Sequence, residues 1–313
     1  MEPKFLHLLS CIILLLLLLL NPFSLFTHAN SPHHHHQLNT QKPSPMNFLK
    51  TLIGARKGTT SKGISQLKKY LSHFGYMNRN NNTTPTHQTD DFFDDNLELA
   101  VKSYQTFFKL AVNGIMDANT VAKMSRPRCG VPDFGLNRSD QLYLRIPTLA
   151  SHYTFFPGEP KWPATKRSLT YSFPPGERSD VNQAILHASQ IWANVSPFRF
   201  SYIPNYDQAD IKISFQYRDH GDGFPFDGPG GILAHAFAPT DGRLHYDGDE
   251  RWVDGVTPGA FDLQTVGLHE LGHVLGLGHT TDGGAVMNPY IGAGIRKFLG
   301  QDDINGIKAL YHF

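Results

Sequence analysis

An α+β fold is predicted by three features of this 313-residue sequence. Helical periodicity fills Gly63 to about Ser125, where Ile64, Leu67, Leu71 and Phe74 mark one apolar stripe and Leu97, Val101, Tyr104, Phe107 and Phe108 another. Strand-like stretches follow at Leu169 to Phe173, Phe198 to Ile203 and Ile211 to Tyr217, with a helical segment from about Ser179 to Trp192 between the first two. A further helix, bearing His269 and His273, comes after them. At 40% hydrophobic residues and net charge +1, the chain suits about two domains and lacks the basic excess of a nucleic-acid binder.

Residues 1–29 read as a signal peptide: Lys4 near the start, an apolar run from Ile12 to Leu20, then Thr27-His28-Ala29 as a cleavage pattern. That run is short for a membrane span, so no lasting membrane anchor is expected. Of the two cysteines, Cys11 lies in the leader, which leaves Cys129 as an odd thiol in an oxidising compartment, in need of a partner or a use. Residues 30–62 are polar, contain His33 to His36 and read as a low-complexity linker. Residues 63–152 then form a helical domain with a loop from Asn78 to Asp90, and residues 153–313 a second domain. Asn81, Asn82, Asn137 and Asn194 begin glycosylation sequons, the last disfavoured by Pro197.

The chemistry is concentrated in His269-Glu270-Leu271-Gly272-His273-Val274-Leu275-Gly276-Leu277-Gly278-His279. Four residues apart on a helix, His269 and His273 present two imidazoles to one metal ion, with Glu270 beside the open side. Gly276 suits a left-handed helix stop that returns His279 as third ligand. Three neutral imidazoles leave one tetrahedral position for water, whose pKa zinc lowers to about 7, and Glu270 is placed to take its proton.

These eleven residues resemble the metzincin zinc proteases, and Ala285-Val286-Met287-Asn288-Pro289 resembles their Met-turn, with Met287 as the floor under the zinc. Pro127-Arg128-Cys129-Gly130-Val131-Pro132-Asp133 matches the cysteine-switch motif of matrix metalloproteinase propeptides. The resemblance implies that Cys129 fills the fourth zinc position of a silent zymogen while Arg128 pairs with Asp133. It also implies a helical, peptidoglycan-binding-like propeptide, and a catalytic domain of a twisted, mostly parallel five-stranded sheet with three helices. Family ligands match in order: His220, Asp222, His235 and His245 for a closed structural zinc, and Asp227, Gly228, Gly230, Ile232, Asp247 and Glu250 for calcium. Two zinc ions and at least one calcium are therefore expected. Asp210 matches one ligand of a second calcium site, although the stretch Ala238 to Leu244 is shorter than in vertebrate members. Leu233 and Ala234 belong to what resembles the edge strand that binds extended substrate.

The implied protein is a secreted, monomeric endopeptidase, activated by another protease or by autolysis, that cleaves extracellular proteins or peptides. Ending at Phe313 leaves no room for a hemopexin-like domain, which resembles the plant matrix metalloproteinases. Asn288 stands where most members carry tyrosine, so the pocket-wall tyrosine is displaced or absent. The rivals are another metzincin subfamily, which usually relies on disulfides, and a catalytically inactive zinc- or wall-binding protein, against which Glu270 argues.

Overall fold

The computed structural model describes residues 44–77, 90–134 and 152–313. The leader, the His33 to His36 tract, most of the 78–90 loop and the sequons at Asn81, Asn82 and Asn137 lie outside the described residues. Among those described, no helix is long and apolar enough to cross a membrane.

Among the described residues the first half holds three α-helices: α1 (Ile64–His73), α2 (Asp95–Phe107) and α3 (Ala118–Met124). Asp94 and Asp117 cap α2 and α3 by accepting from backbone N–H groups three residues on, which satisfies amides that a helix start leaves open. The stripes read from the sequence bury completely: Ile64, Leu67, Leu71, Leu97, Val101 and Tyr104 are all 0% exposed. The 30–62 linker reading is corrected from Pro45 onward, where Pro45–Leu52 forms a 3₁₀ helix capped by Ser44. Its Met46, Leu49 and Leu52 recur every three residues, the 3₁₀ repeat, and pack into the same core. The polar average composition of the segment hid this short stripe.

The second half carries β1 (Ser168–Ser172), α4 (Ser179–Ala193), β2 (Arg199–Tyr202), β3 (Ile211–Gln216), β4 (Ala234–Ala236) and β5 (Arg243–Asp247). The five strands make one sheet in the order β2-β1-β3-β5-β4, parallel except for β4, which runs antiparallel to β5. A parallel pair, β6 (Trp252–Val253) and β7 (Phe261–Asp262), leads into α5 (Leu263–Val274), and α6 (Gln301–Tyr311) closes the domain. Helices α4 and α5 pack together, joined where Trp192 Nε1 donates to Leu268 O at 2.8 Å.

The two hydrophobic cores are separate clusters, yet the first is completed by Phe226, Ile232 and Tyr290 from the second half. The helical half therefore relies on the other for part of its buried apolar surface, the main favourable term in folding.

Candidate metal centre

Helix α5 is wholly buried, with Asp262 as its N-cap accepting from Thr265 N at 3.1 Å and itself held by Arg296 at 2.7 Å. Two glycines, one in it and one just after it, are sterically required. A Cβ on Gly272 would fall 2.3 Å from the Met287 sulfur, so only glycine lets the Met-turn lie under the helix. Gly276 has φ +101°, and with it the chain leaves the helix in the left-handed region and turns back.

That turn brings His269, His273 and His279 together with Cys129, all four 0% exposed, their ligand atoms within 4.8 Å of one another. His273 Nε2 lies 3.1 Å from His269 Nε2, 3.2 Å from His279 Nε2 and 3.4 Å from Cys129 Sγ. Each imidazole uses its other nitrogen elsewhere: His269 Nδ1 reaches Val286 O at 2.7 Å, His273 Nδ1 reaches Leu277 O at 2.8 Å, and His279 Nδ1 reaches Asp133 Oδ1 at 2.7 Å. Those partners fix the tautomer with its Nε2 lone pair turned to the common point, as in metal-binding histidines. Burial also pushes all three pKa values down, which keeps them neutral.

Glu270 is buried beside them, and neither carboxylate oxygen has a hydrogen-bond partner. Burial lifts its pKa to about 8. An orphaned carboxylate next to three inward imidazoles and a thiol is a donor set that fits a zinc ion, since a buried anion is otherwise costly.

Asp133 is a further buried anchor of this cluster. It accepts from Arg128 Nη2, from Tyr76 OH and from His279 Nδ1, each at 2.7 Å. Against the cost of burial, Arg128 and His279 hold its pKa at about 2. Arg128 is 1% exposed and stacks 3.5 Å over the Phe74 ring. The motif around Cys129 thus contacts the metal cluster twice, by thiol and by carboxylate. The second contact is absent from the sequence reading, because nothing in the motif says which histidine lies near Asp133.

A second group, His220, Asp222, His235 and His245, gathers to the same spacing. Asp222 Oδ2 lies 2.8 Å from His220 Nε2, 2.8 Å from His235 Nε2 and 3.0 Å from His245 Nδ1. Burial lowers His235 and brings His245 to about 4. Beyond it, Asp227 Oδ1 accepts from Ile232 N at 2.8 Å while Oδ2 is buried and unpartnered. Asp247 Oδ2 accepts from Gly228 N at 3.2 Å, and Glu250 Oε1 from Gly230 N. Burial, then repulsion among the three carboxylates, pushes Asp227 and Glu250 to about 7. The Gly230 carbonyl also accepts from Ser44 Oγ at 3.0 Å. Asp210 is engaged otherwise, by Thr170 N and Oγ1 at 2.8 and 2.9 Å and by Lys166 at 2.7 Å, so a lysine already answers its charge.

The segment from Arg128 to Gly130 lies in the cleft as an added strand. It exchanges hydrogen bonds with Leu233 N and with the carbonyls of Gly231 and Ala234 on one side, and with the Pro289 carbonyl on the other. It runs parallel to the 231–234 edge.

An α+β domain whose buried helix and the turn after it bring together three inward histidines and a free carboxylate is a zinc metalloendopeptidase. Comparison with known proteins agrees: the matrixin family matches residues 161–312, and a peptidoglycan-binding domain family matches residues 60–124. The sequence is 44% identical over 263 residues to Metalloendoproteinase 1 of Glycine max, covering 81% of this chain and 83% of that protein. It is 40% identical to Metalloendoproteinase 5-MMP of Arabidopsis thaliana, covering 96% and 85%. With interstitial collagenase of Sus scrofa the identity is 41%, over 82% of this chain and 51% of that longer protein. The chain belongs to the matrixins, the matrix metalloproteinases.

Proposed function

We propose that this chain is a secreted precursor, held silent by Cys129, that becomes an endopeptidase for extracellular proteins or peptides once its first half is removed near Tyr153. The observation that carries this reading is the Cys129 sulfur lodged among three imidazoles beside the unpaired Glu270. His269, His273 and His279 would hold the zinc, with Cys129 as fourth ligand before activation. Zinc there supplies Lewis-acid chemistry, making water acidic enough to lose a proton near neutral pH. Glu270 accepts that proton from the attacking water and passes it to the leaving amine. Leu233 N and Ala234 O hold an extended substrate backbone. The switch peptide uses these same groups but runs parallel to the edge, whereas substrate is expected antiparallel, so the precursor fills the cleft in the uncleavable direction.

The test is Cys129→Ser in the full-length precursor. It should cleave a quenched peptide without processing, because one of four zinc ligands is lost and the water position opens. Latency equal to wild type would remove the switch.

His220, Asp222, His235 and His245 would hold a closed structural zinc, and Asp227, Asp247 and Glu250 with the carbonyls of Gly228, Gly230 and Ile232 a calcium ion. In the ion-free protein the pKa of Asp227 and Glu250, raised to about 7 from the usual carboxylate range, favours the protonated, uncharged forms. Ion-free stability should therefore fall as pH rises from about 4 through 7, as these groups ionise against one another. Calcium offsets that repulsion, so the calcium-induced rise in Tm should be larger at pH 8 than at pH 5. An equal rise at both would count against this site.

A further inference from the structure

Tyr290 lies in the cleft wall after the Met-turn and is 3% exposed. The ring is covered by the first half of the chain: its hydroxyl pairs with that of Tyr104, and Phe108 lies edge-on at 5.1 Å. Three cations surround the same ring, with Lys123 at 4.5 Å from its centroid, Arg128 at 5.2 Å and Arg126 at 5.4 Å. Removing the propeptide strips away all of these contacts.

The backbone beside Tyr290 pairs with whatever peptide occupies the cleft. Cys129 N donates to Pro289 O at 2.9 Å and Ile291 N to Pro127 O at 3.2 Å, which leaves Arg128 and Tyr290 face to face. In an antiparallel pair this non-hydrogen-bonded position brings side chains closest. Asn288 fixes the wall, its Oδ1 accepting from Tyr290 N at 3.2 Å and its Nδ2 donating to Thr280 O at 3.3 Å. Ile291 turns inward, 1% exposed in the catalytic core, so the Tyr290 side chain between Pro289 and Ile291 points to the opposite side.

We propose that Tyr290, once uncovered, is a specificity-determining residue whose ring receives an arginine or lysine side chain at the second residue after the scissile bond. The proposal rests on the endopeptidase reading above. Substrate runs opposite to the switch peptide, so its residues after the scissile bond lie on the Arg128 side of the metal cluster. The first of them points inward, toward α5. Side chains alternate along an extended chain, so the second points outward and bonds through its backbone to Pro289 O and Ile291 N, opposite Tyr290. The propeptide already places arginine at that register. A cation over a tyrosine face is attracted by the ring quadrupole. On the catalytic side the ammonium of Lys297 is bound to the Gly283 and Ala285 carbonyls.

The test uses full-length chain activated by limited proteolysis, with peptides differing only at that residue: arginine, lysine, glutamine, or citrulline, which has the shape of arginine without its charge. Arginine should exceed citrulline by about two- to fivefold in kcat/KM, mostly through KM, the scale of a partly exposed cation–ring contact. Tyr290→Phe should keep the ratio and Tyr290→Leu should bring it near one. The same ratio is read as relative affinity in a Glu270→Gln background, so absence of cleavage would refute the protease reading while binding still decides this one. An arginine-to-citrulline ratio near one in wild type overturns the proposal even if Tyr290→Leu fails to fold, as does a ratio unchanged in Tyr290→Leu.

Discussion

Glu270→Gln should fold, bind zinc and yet turn over peptide at least about a hundredfold more slowly, the usual scale for loss of a general base. The amide has nearly the volume of the carboxylate, so packing around it is kept. It cannot accept a proton from water, so the step that generates the nucleophile loses its base. Stability should be unchanged or slightly higher in the metal-free protein, because the variant removes a fully buried carboxylate whose two oxygens have no partner. Zinc content and melting temperature are measured with kcat on the activated enzyme. Near-wild-type kcat in a folded, zinc-loaded variant would end the proposed role of Glu270.

Loss of His235 is expected to act on the fold. The residue is 3% exposed, pairs in register with His245 across β4 and β5, and meets His220 and Asp222, which lie on a stretch without strands or helices. Nothing periodic holds residues 218–232, so an ion shared by those four side chains is what would fix them, and its binding is coupled to local folding. His235→Ala should lower Tm, expose residues 218–250 to proteolysis and reduce activity indirectly, since Leu233 and Ala234 belong to the edge proposed to bind substrate. His273→Ala, in contrast, should abolish activity while the domain stays folded, because α5 is held by its buried apolar surface. Metal analysis should give about two zinc ions per activated wild-type chain and about one in each variant, as the two ligand sets require. One zinc in wild type, or a His235→Ala protein of unaltered metal content and stability, would remove the structural site.

Much of this arrangement was legible in the sequence. A helix has a fixed period, so His269, Glu270 and His273 can be assigned to one helix end from spacing alone, and a glycine at position 276 marks where it must stop. The stripes Ile64 to Phe74 and Leu97 to Phe108 gave α1 and α2 for the same reason. Amphipathic strands gave β1, β2 and β3, whereas β4 is three residues long and all buried, and so carries no alternation to read. The 3₁₀ helix at Pro45–Leu52 escaped because three apolar residues in a polar segment are too short a signal.

By itself the sequence pointed to the side chains a metal cluster could use and to most of the local elements, because these depend on spacing and on residue chemistry close along the chain. Only the tertiary structure decided what meets across long separations. It placed Asp133 on His279, 146 residues away, and Tyr290 under Arg128 and against Tyr104. It also made Phe226, Ile232 and Tyr290 part of the helical core. Such contacts arise from packing two apolar surfaces at once, and no local period encodes which residue of one surface will face which residue of the other.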